Sequence, residues 1–182
     1  DVCSSDLWLD ESITLYNSQG TFVESLNSIL NDIHPPFYFI LSHYWVRLFG
    51  VSENLRYMSL LFGIASIVLI YLVAKESFGT KVGLFSAILY SFSNMTTHYF
   101  FEARMYSLIL LLSLCSMYAF IMYLKYNVNQ SSQRWFILYI LFTTMMLYTH
   151  YLSGLIVFAQ ILYYVVSEYN KTVNFEIKKN IV

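Results

Sequence analysis

The sequence predicts an all-α, multi-pass membrane protein whose extracytoplasmic loop bears short juxtamembrane helices. Two observations lead there. Of 182 residues, 58% are hydrophobic and only 12% charged, against about 25% charged in an ordinary soluble domain. The apolar residues also gather into runs near the length that crosses roughly 30 Å of hydrocarbon. Inside lipid every backbone group needs an internal partner, so such runs are read as helices. The net charge is −1, which leaves no basic field for nucleic acid. Cys3 and Cys115, the two cysteines, form neither a disulfide framework nor a metal pattern.

The elements follow in order. Asp1-Val2-Cys3-Ser4-Ser5-Asp6-Leu7 resembles the translation of a short-read sequencing adapter, and the chain does not start with Met. Residues 1–7 are therefore set aside as an expected artefact. Residues 8–55 are expected to form the first extracytoplasmic loop, and residues 56–182 a helix bundle cut short at its C-terminus. Within the loop, His34-Pro35-Pro36 is a natural helix start because Pro is tolerated in the first turn. The apolar run that follows, to Phe49, is too short for a span and suits an interfacial helix. On it Tyr38, Ser42, His43 and Arg47 recur at helical spacing and mark one amphipathic face.

Five spans are expected, at 57–74, 82–97, 105–124, 135–149 and 152–167. The loops between them alternate in charge. Lys75, Lys81, Lys125, Arg134, Lys171, Lys178 and Lys179 hold seven of the ten basic residues and fall on one side, which the positive-inside rule assigns to the cytoplasm. Residues 8–55, the loop at 98–104 and the turn around His150 then lie outside. Trp45, Trp135 and Tyr residues near span ends fit an aromatic belt.

All four histidines, His34, His43, His98 and His150, fall on or near that outer side. So do Asp10-Glu11 and Glu102-Ala103-Arg104. Charges beside a span are costly unless paired or used. A carboxylate that takes a proton from an acceptor hydroxyl, and a cation that receives a departing phosphate, are the residue types for transferring a sugar from a lipid phosphate. Taken singly, each has a plainer reading: a solvated acidic pair, a membrane-edge ion pair, a histidine cap, belt tyrosines. The histidines lack zinc-ligand spacing. A transporter or lipid flippase is the alternative function, but such proteins place charges mid-span, and here they lie at span ends. A non-catalytic membrane assembly subunit is a further alternative.

Trp8-Leu9-Asp10-Glu11-Ser12, His34-Pro35-Pro36-Phe37-Tyr38, Leu48-Phe49-Gly50, Glu102-Ala103-Arg104-Met105-Tyr106 and Tyr148-Thr149-His150-Tyr151 occur in this order across residues 8–167. Together they resemble the outer loops of GT-C-type glycosyltransferases, in the superfamily of dolichyl-phosphate-mannose–protein mannosyltransferases and aminoarabinose transferases. The resemblance implies transfer of a sugar from a polyprenyl-phosphate donor to a lipid, protein or glycan acceptor, at the extracytoplasmic face of the cell membrane and with inversion. It implies Asp10, Glu11 and Arg104 as the catalytic set, with Asp10 the base, Glu11 its neighbour in the acidic pair and Arg104 facing the phosphate. His34, Glu102, Tyr106 and His150 are the implied substrate-binding residues. No resident cofactor is implied beyond an optional divalent metal, for which Glu102 is the candidate ligand. Ser93-Asn94 departs from the Ser-Pro of many relatives. The chain matches only the N-terminal part of such enzymes and is expected to be inactive alone.

Overall fold

The computed structural model describes residues 9–18, 21–25, 35–50, 54–126 and 131–181. Among the described residues it is all helical, with no strand. In chain order the helices are α1 (Leu9–Ser18), α2 (Phe37–Phe49), α3 (Asn54–Phe78), α4 (Thr80–Ser91), α5 (Asn94–Phe100), α6 (Tyr106–Lys125), α7 (Ser131–Leu147) and α8 (Gly154–Ile181). A 3₁₀ turn, Tyr151–Ser153, precedes α8. Residues 22–25 form one further helical turn. Its start is a capping box: Thr21 N–H donates to Glu24 Oε2 at 2.8 Å, and Glu24 N–H returns to Thr21 Oγ1 at 3.4 Å. The Thr21 bonds hold the Glu24 carboxyl below its ordinary range.

Among the described residues, three stretches are long and apolar enough to cross a membrane: Leu55–Phe78, Tyr106–Lys125 and Tyr151–Tyr169. The other two expected spans come out differently. α7 has 17 residues, about 25 Å, a little short of the hydrocarbon core. The expected span at 82–97 is broken. α4 ends at Ser91, Ser93 is extended (φ −69°, ψ 119°), and α5 starts afresh at Asn94. Ser and Asn side chains compete with the helix backbone for hydrogen bonds.

α3 is the hub. It packs against α4, α5, α6 and α2, while α6 packs against α7 and touches α8. The burial pattern is that of a protein in lipid. Leu61, Ile64, Val68, Leu155, Phe158 and Ile161 face outward, whereas small or hydroxyl-bearing residues such as Ser59, Ser66, Ser107, Ser116 and Ala119 face inward. Close approach and interhelical hydrogen bonds replace the hydrophobic drive that lipid does not supply. Ser116 Oγ and Thr143 Oγ1 lie 2.8 Å apart, Gln160 Nε2 donates to Ser116 Oγ at 3.3 Å, and Tyr139 Oη donates to Gln160 Oε1 at 3.2 Å. This joins α6, α7 and α8. At the opposite end from the site described below, Lys125 and Glu76 pair at 2.7 Å and tie α6 to α3.

α2 corrects one expectation. Its amphipathic face is real, but Tyr38, Ser42 and His43 point inward and are buried, while Tyr44, Leu48 and Phe49 are exposed. The polar face packs on α1 and the residues after it. His43 Nδ1 sits 3.1 Å from both the Ser18 carbonyl and Ser25 Oγ. A carbonyl only accepts, so Nδ1 carries the proton. Arg47 alone of the four remains exposed.

Candidate functional site

The site forms where the first loop meets the entrance of α6. Its centre is Glu11, on α1, only 1% exposed. Arg56, in the first turn of α3, donates to it twice: Nε to Oε1 at 3.2 Å and Nη2 to Oε2 at 2.7 Å. The backbone N–H of Ala103 donates to the same Oε1 at 2.8 Å. These are charge-assisted bonds, the stronger kind. They bring together three segments distant in sequence: α1, the start of α3 and the Glu102-Ala103-Arg104 turn.

That turn is tight. Arg104 N–H donates to the Glu102 carbonyl at 2.8 Å. The Arg104 guanidinium lies 5.1 Å from the centre of the Tyr106 ring, within cation–π range. Tyr106 in turn packs on Tyr99 at 4.9 Å. Ser107 Oγ donates back to the Tyr99 carbonyl at 2.7 Å, closing the loop on itself. From the membrane side, Phe100 seats its ring on Gly63 of α3.

Tyr38 of α2 lies beneath. It is 1% exposed, and burial pushes its hydroxyl above the ordinary phenol range. Glu11 adds to that shift and Arg104 opposes it. Neither the Tyr38 nor the Ser59 hydroxyl has a hydrogen-bond partner among the described residues. The Tyr148-Thr149-His150 turn joins the same end of the bundle. The Tyr148 carbonyl accepts the Phe37 N–H at 3.1 Å, one of the first-turn donors of α2 that has no partner within its own helix.

The implied site residues thus divide. Glu11, Arg104 and Tyr106 are brought to one place, with Glu102 half-buried beside them. His150 sits at the neighbouring turn, where its Nδ1 accepts the Leu152 N–H at 3.1 Å and caps the 3₁₀ turn. Asp10 lies on α1 next to Glu11, its side chain outside the described residues, and His34 lies outside them altogether. Among the described residues no three His, Cys, Asp or Glu side chains gather into a metal-binding set. Arg56 is the residue that the sequence reading passed over. A lone Arg at the mouth of a long apolar run is itself a signal that a buried carboxylate waits elsewhere.

Long apolar helices that leave lipid-compatible faces outward define a multi-pass membrane protein. A family model for dolichyl-phosphate-mannose-protein mannosyltransferase matches residues 33–180. That is most of the chain, and the protein belongs to this family of membrane glycosyltransferases. No curated protein matches the chain, and neither does any solved structure. The family match begins after α1 and does not cover Asp10-Glu11.

Proposed function

We propose that the protein transfers a sugar from a polyprenyl-phosphate donor to an acceptor hydroxyl at the extracytoplasmic face of the membrane. Asp10 takes the hydroxyl proton as the acceptor oxygen attacks the anomeric carbon. The bond from that carbon to the phosphate oxygen breaks, and the departing polyprenyl phosphate keeps the electron pair. Arg104 stabilises the charge that develops on it. Glu102, Tyr106, His34 and His150 are the substrate-contacting candidates, and the sugar leaves inverted. A divalent metal at Glu102 is not required by this scheme.

One observation carries the reading: the 2.8 Å bond from Ala103 N–H to Glu11 Oε1. It links the residue after the proposed base to the residue before the proposed phosphate cation, across 92 positions of sequence. The charge asymmetry of the loops supports the outer face. The test uses the complete gene product in membranes with labelled polyprenyl-phosphate sugars. Transfer is expected in the wild type and lost in both Asp10→Asn and Arg104→Ala at equal protein levels. Full transfer by either variant refutes that residue's role.

A further inference from the structure

We infer that Glu11 and Arg56 form a latch that positions the transfer site, and that Glu11 is neither a base nor a metal ligand. This rests on the assignment of Asp10 and Arg104 above. Both Glu11 oxygens already accept hydrogen bonds, from Arg56 Nε and Nη2 and from Ala103 N–H. The side chain is 1% exposed, and Arg56 closes it from the α3 side with its own side chain 33% exposed. A carboxylate so enclosed does not face an acceptor hydroxyl. A general base must reach the proton it removes within hydrogen-bond distance.

What the pair does is join backbones. Glu11 and Asp10 are consecutive in α1; Ala103 and Arg104 are consecutive in the turn. The bond between Glu11 and Ala103 therefore sets the spacing of the two residues that flank it. Arg56 supplies the third anchor. It stands in the first turn of α3, the helix against which α2, α5 and α6 all pack, so the latch refers both loops to the most supported span. Without the guanidinium, the Glu11 carboxylate would lose both of its Arg56 bonds in a dry setting and would turn toward water, carrying α1 with it. The Arg fork suits this better than a Lys point charge, because it fits both carboxylate oxygens at once.

The experiment uses the complete gene product in membranes, in a cysteine-free background that carries Cys115→Ala, with spin labels at Ile13→Cys and Phe101→Cys. Both positions are exposed, on α1 and on the turn. A narrow label distance is expected with Glu11 and Arg56 intact, a broadened one in Arg56→Ala, and an intermediate one in Arg56→Lys. In transfer assays Arg56→Lys and Glu11→Gln should lower kcat, Arg56→Ala by about 100-fold, as for a misplacement near 1 Å. The KM for the donor and the position of the acid limb of the pH–rate profile should not move. An unchanged narrow distance in Arg56→Ala overturns the latch. A raised donor KM with kcat retained makes Arg56 a phosphate-binding residue and overturns it too. A displaced acid limb in Glu11→Gln makes Glu11 the base, with the same result. If Asp10→Asn transfers sugar at the wild-type rate, the base assignment fails, while the label distances still decide the latch. If Arg56→Ala does not accumulate, Arg56→Gln takes its place in both arms.

Discussion

Gly63→Ala is a substitution of one methyl group at a helix position that looks unimportant in the sequence. An added Cβ would stand 2.4 Å from Phe100 Cδ1 and 2.5 Å from Cγ. Carbon atoms settle at about 3.5–4.0 Å, so Phe100 must retreat by about 1 Å or more. The ring cannot swing clear, because Cγ is one bond from its own Cβ and the side chain is buried at 7% exposure. The backbone of α5 must move instead, and the Phe101–Arg104 turn follows directly. Ala gains about 0.5–1 kcal/mol over Gly in helix propensity. Overpacking costs about 1–3 kcal/mol, so the net change is destabilising. A retreat of that size stretches the 2.8 Å bond from Ala103 N–H to Glu11 beyond hydrogen-bond length. The transfer rate should fall by about 100-fold, and thermal unfolding in detergent should begin at a lower temperature. Gly63→Ala protein with wild-type rate and wild-type melting would refute the claim that the α3–α5 contact holds the loop.

Two further outcomes follow from buried polar groups. Tyr38→Phe removes a hydroxyl that has no hydrogen-bond partner among the described residues, so stability at neutral pH should change by less than about 1 kcal/mol. Its sign appears in alkali. An unfolded Tyr loses its proton near pH 10, while folded Tyr38 holds on to it because burial raises its pKa. The native state then binds more protons than the unfolded one, and stability falls as pH rises above about 10. Tyr38→Phe should flatten that alkaline loss in a melting series against pH, and an unchanged slope would count against the burial. Gln160→Leu deletes the side chain that donates to Ser116 and accepts from Tyr139. The loss should be about 0.6 kcal/mol, with an upper bound of about 2, measured by unfolding in detergent. A larger loss would mean that the network does more than join α6, α7 and α8.

The helical membrane class was legible because lipid imposes it on composition and run length alone. The order of the outer-loop motifs was legible too, and it pointed to the family whose model matches the chain. The break at Phe92–Ser93 was written in Ser91-Phe92-Ser93-Asn94, but run length masked it, since hydropathy does not register a local contest for hydrogen bonds. The 3.6-residue period correctly marked Tyr38, Ser42 and His43 as one face of α2. Period alone says that a face exists, not which way it turns.

By itself, then, the sequence determined the helical membrane class, how far apart the charged motifs lie along the chain, and which residue types stand beside the spans. Tertiary structure decided who meets whom. Glu11 finds Arg56 across 45 positions and Ala103 across 92, and the polar side of α2 closes on α1 instead of water. The physical reason is one of range. Backbone hydrogen bonding and transfer into lipid are set by a residue and its near neighbours, whereas a buried charge takes its partner from whichever segment the packing of the whole bundle brings within reach.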